Sequence, residues 1–164
     1  MIISHDSETP AHGQQVFTAG AFIHHNFDGV TKVFLPKRAA TKKFMPGIYE
    51  FPGGHIEFGE EMVEGLKREV REELEMEITV GDPFYVFDYK NPIKGSHSIE
   101  VIYFATFVNS IEEIKIHEGD HDNFGWFSEK EIEKIAEHKS REDKEFPAIL
   151  KGFAILRGEK LLTK

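Results

Sequence analysis

Three glutamates in one stretch of the chain have the residue type and the spacing to bind a metal ion. Glu69, Glu72 and Glu73 occupy positions i, i+3 and i+4, which would place their carboxylates on one face of a helix. Carboxylate oxygens on a rigid helix suit a hard cation such as Mg²⁺, which takes its other ligands from water and substrate phosphates. A solvated acidic face explains the same residues equally well, because like charges at this spacing cost only about 0.2–0.5 kcal/mol per exposed pair.

The distribution of charge also indicates a cation site. Between residues 57 and 77, nine glutamates oppose three basic residues, a local balance of −6 within a total net charge of −9. An acidic chain argues against broad binding to nucleic-acid backbones. The chain has no cysteine, which excludes thiolate metal sites and disulfides. No run of about 20 apolar residues occurs, so we expect no membrane partner and a cytoplasmic location.

The helix that carries these acids is predicted over residues 61–74. Val63, Leu66, Val70 and Leu74 fall three or four residues apart and form one apolar stripe. The stripe would pack on the core, which leaves the glutamates facing a cleft or water.

The remaining pattern predicts short strands and two further helices. Strands are expected over residues 15–24, 30–35, 48–51, 84–89, 98–108 and 123–127, the third stopping at Pro52-Gly53-Gly54. Ser128 and Glu131 form a capping box for a helix to about His138, and Pro147 suits the first turn of a last helix over residues 146–158. The apolar stripe of this last helix should dock on the sheet or form a homodimer interface. Residues 1–13 are expected to be loose. We predict a single α+β domain over residues 1–164, with a mixed sheet between helices.

Several identities at fixed offsets together resemble the Nudix box. They are Gly54, Glu60, Arg68-Glu69 and Glu72-Glu73, within residues 54–76, after a similar lead-in at residues 46–54. The resemblance covers roughly residues 15–138. One position departs from the family pattern, because Glu75 stands where the family has a glycine at the helix exit. We expect an altered loop geometry there and intact chemistry.

The resemblance implies a fold, a reaction and roles for these residues. It implies a Nudix-like α/β/α sandwich that hydrolyses a nucleoside diphosphate linked to another moiety, using magnesium (Mg²⁺) or manganese (Mn²⁺). Glu72 and Glu73 would be metal ligands, helped by the Gly54 carbonyl, and Glu69 a ligand or the general base. Arg68 and Glu60 would hold these acids in place.

Residues outside the box are expected to complete the site. Arg38 resembles the family arginine that meets substrate phosphate. In some relatives the base comes from a distant loop, here residues 117–122, with Glu118 or Asp120 as candidates. Glu57 would cap its own loop or serve a further ion. The substrate would be a modified nucleoside triphosphate or a nucleotide sugar such as ADP-ribose.

Two other classes of protein compete with a hydrolase. A non-catalytic Nudix-fold module could bind a nucleotide as a sensor or regulator, although such a module would not need the full glutamate set. One pattern favours a Ca²⁺-binding module. Positions one, three, six and twelve of an EF-hand-like loop are occupied by Asp120, Asp122, Gly125 and Glu131. Position five of that loop is Phe124, which cannot bind a cation.

Overall fold

The computed structural model describes residues 11–136 and 144–159. Its strands are β1 (Gln15–Phe27), β2 (Val30–Arg38), β3 (Gly53–His55), β4 (Ile78–Asn91), β5 (Ser96–Phe107) and β6 (His121–Ser128). Its helices are α1 (Met62–Leu74), α2 (Glu129–Ala136) and α3 (Glu145–Leu156), with a 3₁₀ turn at Ile111–Glu113. No helix in these two ranges is long and apolar enough to cross a membrane.

The strands form one mixed sheet. Its order is β4-β5-β1-β2-β6, and β3 pairs with β1 beside this path. The pairing of β1 with β5 is parallel, whereas the other pairs of strands are antiparallel. One apolar cluster lies between the sheet and α1, and a second lies between the sheet and the pair α2 and α3. The predicted mixed sheet between helices is therefore confirmed.

Helix α1 buries the stripe that its sequence predicts. Leu66, Val70 and Leu74 are fully buried, and Val63 packs at the edge of the same cluster. The helix begins after Glu61, whose backbone is extended, so the predicted span of 61–74 agrees with the structure.

The third predicted strand is wrong in position. Within residues 48–51 the only pairing is an isolated bridge from Tyr49 to Lys37, and the strand is β3, formed by the glycines that were expected to stop it. Gly53 has φ 145°, and a side-chain carbon there would lie 2.0 Å from the carbonyl oxygen of Ala19. Gly53 therefore lets this strand approach β1 more closely than a residue with a side chain could.

Both ends of the described chain contact the rest of the fold. Residues 1–10 lie outside the described residues, and Ala11 and Gly13 donate backbone hydrogen bonds to the carbonyls of Lys94 and Gly95. The looseness expected of residues 1–13 stays a prediction. Helix α3 begins at Glu145 and buries Ile149 and Phe153 against the sheet, which confirms the docking alternative.

Helix α2 opens where the capping box predicts. The Ser128 N–H donates to Glu131 Oε2 at 2.7 Å. The predicted end near His138 lies outside the described residues. Residues 121–128 form β6 and pair with β2, whereas an EF-hand loop connects two helices. The interpretation of this segment as an EF-hand-like Ca²⁺-binding loop is therefore wrong.

Glu75 keeps a glycine-like conformation at the exit of α1. Its φ of 54° and ψ of 35° are left-handed, and its N–H donates to the Arg71 carbonyl. A residue with a side chain therefore occupies a conformation that favours glycine, and the expected alteration of the loop stays a prediction.

Replacing Glu75 by glycine should stabilise the protein by about 0.5–1 kcal/mol. The left-handed conformation costs a non-glycine residue roughly 1–2 kcal/mol, and glycine's extra freedom in the unfolded chain offsets part of that gain. Urea denaturation measures the change. Glu75→Ala is the control, because it removes the carboxylate and keeps the strain. Equal stability of the two variants would contradict the explanation.

Candidate functional site

Strand β3 lies directly against the acidic face of α1. Gly54 has no side chain, and a carbon placed there would lie 2.5 Å from Oε2 of Glu69. The carboxylate of Glu69 therefore packs on the backbone, and only 5% of this residue is exposed. The Gly53 N–H donates to Glu73 Oε2 at 3.3 Å. The structure thus brings Gly54, Glu69 and Glu73 together, as the sequence predicts.

Arg68 joins the other members of the predicted set. Its Nε and Nη2 donate to the two carboxylate oxygens of Glu60 at 2.7 and 2.9 Å. Its Nη1 donates to Glu69 at 2.9 Å and to Glu72 at 3.1 Å, and its Nη2 also reaches the His55 carbonyl at 2.9 Å. The hydrogen bonds to Glu60 are the largest cause of a raised pKa for Arg68, so the guanidinium stays charged. If Arg68 and Glu60 hold the acidic side chains in place, as the resemblance implies, contacts of this kind are required.

Negative charge is concentrated around Glu73. Burial raises the pKa of Glu73 well above its ordinary value, the charges of Glu50 and Glu69 raise it further, and Asp120 adds a smaller contribution. The Gly53 N–H opposes this effect. A carboxylate surrounded in this way favours a nearby positive charge.

Glu50 is a member of the site that the sequence analysis missed. Its carboxylate accepts from Arg38 Nη1 at 3.3 Å and bonds with His121 Nε2 at 3.1 Å. Burial alone would raise the pKa of Glu50, but Arg38 and His121 outweigh it and hold that pKa below the ordinary value. His121 is 71 positions away along the chain, so no local spacing could have revealed the pair.

The residues predicted outside the box lie at the end of β2 and on the loop before β6, and these two segments contact each other. Arg38 donates from Nε to the Phe44 carbonyl at 3.0 Å as well as to Glu50, and its phosphate contact stays a prediction. Asp120 accepts from Lys42 Nζ at 3.0 Å, and its backbone carbonyl accepts from the Ala39 N–H at 2.9 Å. Glu118 is exposed on the same loop.

Glu57 contributes a main-chain contact. Its backbone N–H donates to Glu60 Oε1 at 3.1 Å, which connects this loop to the Arg68 contacts. Neither predicted role of its exposed side chain is tested by this contact.

The donor atoms around Gly54 fit a hard divalent cation. Among residues 11–136 and 144–159, no three acidic or histidine side chains converge closely enough to hold an ion as they stand. The carboxylates of Glu69 and Glu72 both bind Arg68 instead. Carboxylate and carbonyl oxygens are nevertheless the ligands that Mg²⁺ and Mn²⁺ prefer. Because Gly54 has no side chain, its backbone lies directly against the Glu69 carboxylate.

A mixed sheet between helices, with a glycine strand packed on an acidic helix, defines the class of fold as Nudix-like. A family model described as the NUDIX domain matches residues 16–149, and the chain belongs to that family. The predicted family is therefore confirmed. Nudix hydrolases generally use divalent metal ions and act on nucleotide-type substrates.

Individual relatives resemble parts of the chain. The CTP pyrophosphohydrolase of Escherichia coli (strain K12) is 39% identical over 64 residues, which are 39% of this chain and 45% of that relative's length. An Ap4A hydrolase binary complex from C. elegans superposes with a TM-score of 0.70 at 23% identity, covering 88% of this chain and 99% of that one. The MutT protein of Methanosarcina mazei Go1 gives a TM-score of 0.67 at 21% identity, with 89% and 97% covered. The two structures show a shared fold.

Proposed function

We propose that this chain is a Mg²⁺- or Mn²⁺-dependent pyrophosphohydrolase that cleaves a nucleoside diphosphate linked to another moiety. The observation that carries the proposal is the packing of the Glu69 carboxylate on Gly54, while Arg68 binds Glu60, Glu69 and Glu72. Family membership supports the same reaction.

The reaction joins a water oxygen to phosphorus and breaks a phosphoanhydride bond. One proton leaves the attacking water, and the bridging oxygen departs with the bond's electron pair. A divalent cation would be held by Glu72, Glu73 and the Gly54 carbonyl, and it would neutralise the charge that builds on the phosphate oxygens. Glu69 would accept the proton of the water, and Arg68 fixes the orientation of that carboxylate.

Nucleoside triphosphates are the first substrates to test. The relative with 39% identity is named for CTP, but the alignment covers less than half of it. Modified nucleoside triphosphates and nucleotide sugars such as ADP-ribose therefore belong in the same panel. Hydrolysis should be followed with Mg²⁺, with Mn²⁺ and with a chelator, and the products separated by ion-exchange chromatography. The proposal expects cation-dependent release of a nucleoside monophosphate. A nucleotide that binds without turnover under every condition would favour the sensor alternative instead.

Cation binding should depend on the acidic face of α1. We expect the double variant Glu72→Gln/Glu73→Gln to lose Mn²⁺ binding in calorimetry, because both proposed ligands lose their charge. Glu64→Gln is the matched control, since Glu64 is exposed on the same helix and pairs with Lys67. Equal affinities of the wild type and the double variant would refute the site.

A further inference from the structure

We propose that Glu50 is a positioning residue for the cation site, acting through its contacts with Arg38 and His121. This group of three side chains is called the Glu50 anchor below. The inference rests on the proposed function for the reaction at the cation site, and on the structure for the contacts of the Glu50 anchor. Glu50 lies three residues before Gly53, whose N–H donates to Glu73. Fixing Glu50 therefore fixes the segment that leads into the site.

The backbone around Glu50 is held along the end of β2. The Glu50 N–H donates to the Pro36 carbonyl at 2.9 Å, and the Arg38 N–H donates to the Ile48 carbonyl at 2.7 Å. The Ala21 N–H then donates to the Pro52 carbonyl at 2.9 Å. This segment has only an isolated bridge in place of a regular ladder, so side-chain contacts matter more for its position.

The same anchor reaches the acidic loop. His121 opens β6 opposite Arg38, at the register shift between Lys37 and Arg38. The backbone N–H of His121 donates to the His117 carbonyl at 3.1 Å. The carbonyl of the neighbouring Asp120 accepts from the backbone N–H of Ala39. One carboxylate therefore connects the end of β2, the lead-in to Gly53 and the loop that carries Asp120. The lead-in ends at Gly53, whose N–H donates to Glu73, and the charge of Asp120 also acts on Glu73.

Stability alone is a poor explanation for this arrangement. His121 is 2% exposed, and its Nδ1 has no hydrogen-bond partner among the residues that the structure describes. A buried polar atom without a partner is unfavourable, and apolar residues often replace buried ion pairs without loss of stability. The anchor also places the charge of Glu50 where it acts on Glu73. A carboxylate in this place attracts a cation and holds the segment that leads to Gly53. This role would offset the cost of the buried His121 Nδ1 that has no partner among the described residues.

The test compares Glu50→Gln with Glu64→Gln. Both substitutions remove one carboxylate and keep its shape, but Glu64 lies exposed and outside the anchor. We expect Glu50→Gln to weaken Mn²⁺ binding by roughly 10- to 100-fold in calorimetry without nucleotide, the usual effect of losing a group behind a metal ligand. The kcat should fall and the KM for nucleotide should change little. Glu64→Gln should match the wild type in all three measurements.

A second pair of variants covers the case in which Glu50→Gln does not fold. His121→Gln keeps an amide N–H to donate to Glu50, whereas His121→Leu removes the donor. We expect His121→Leu to lose Mn²⁺ affinity and His121→Gln to recover most of it. Wild-type Mn²⁺ affinity in Glu50→Gln, or in His121→Leu if Glu50→Gln does not fold, would overturn the inference, whatever happens to the melting temperature.

The outcomes separate this inference from the proposed function. If the wild type hydrolyses nucleotides and Glu50→Gln binds Mn²⁺ normally, the inference fails and the function stands. If Mn²⁺ binding depends on Glu50 but no nucleotide is hydrolysed, the function fails and the positioning role stands.

Discussion

Replacing Glu69 by glutamine should lower turnover by about 10²–10⁴-fold, the usual consequence of losing a general base. The substitution keeps the shape of the side chain and removes the group that accepts the proton of the attacking water. Oε1 of Glu69 is held by Arg68 at 2.9 Å, so the carboxylate has one defined orientation. Because the loss concerns the chemical step, kcat should fall while the KM for nucleotide changes little.

The competing view is that a loop acid is the base and that Glu69 only binds the cation. Asp120 is the stronger loop candidate, since its charge reaches Glu73 and its backbone is bonded to Ala39. Steady-state rates of Glu69→Gln, Asp120→Asn and Glu118→Gln across a Mg²⁺ titration separate the two views. Near-normal turnover of Glu69→Gln at saturating Mg²⁺, without such recovery in a loop variant, would place the base in the loop.

Replacing Leu66 by alanine should lower the free energy of unfolding by about 2–5 kcal/mol. Leu66 is fully buried where α1 packs on the sheet, so the shorter side chain loses apolar contacts and leaves a cavity. Urea denaturation followed by circular dichroism measures the loss. Val63→Ala is the control, because Val63 is only partly buried at the edge of the same cluster and should cost less. A loss below about half a kilocalorie for Leu66→Ala would mean that this face is packed loosely.

The parts of the fold that follow from local periodicity could be predicted. The stripe of Leu66, Val70 and Leu74 determines both the extent of α1 and the face that it buries. Strand β3 could not be predicted in the same way, because glycines usually interrupt strands. Gly53 is required by its approach to Ala19, which lies 34 residues earlier, and no local window contains both.

The residues of the candidate site also fall into two groups, those that local spacing predicts and those that depend on the pairing of distant strands. Arg68, Glu69 and Glu72 are close in sequence and are brought together by helical geometry, so their spacing indicated the site. The contact between Glu50 and His121 depends on the pairing of β2 with β6, which brings together segments from opposite halves of the chain. His121 lies in the loop of residues 117–122, for which the sequence suggested only Glu118 and Asp120 as candidates.

The crowding of carboxylates around Glu73 links the folding equilibrium to dissolved cations. Glu50, Glu69 and Asp120 disfavour a charged Glu73 in the folded chain, and these repulsions vanish when the chain unfolds and its acids separate. A ligand that binds the folded form alone shifts the equilibrium by mass action. Divalent cations should therefore raise the melting temperature in proportion to the logarithm of their concentration once binding saturates. The acidity needed for hydrolysis would thus lower the stability of the cation-free protein, which becomes the form most exposed to unfolding and proteolysis.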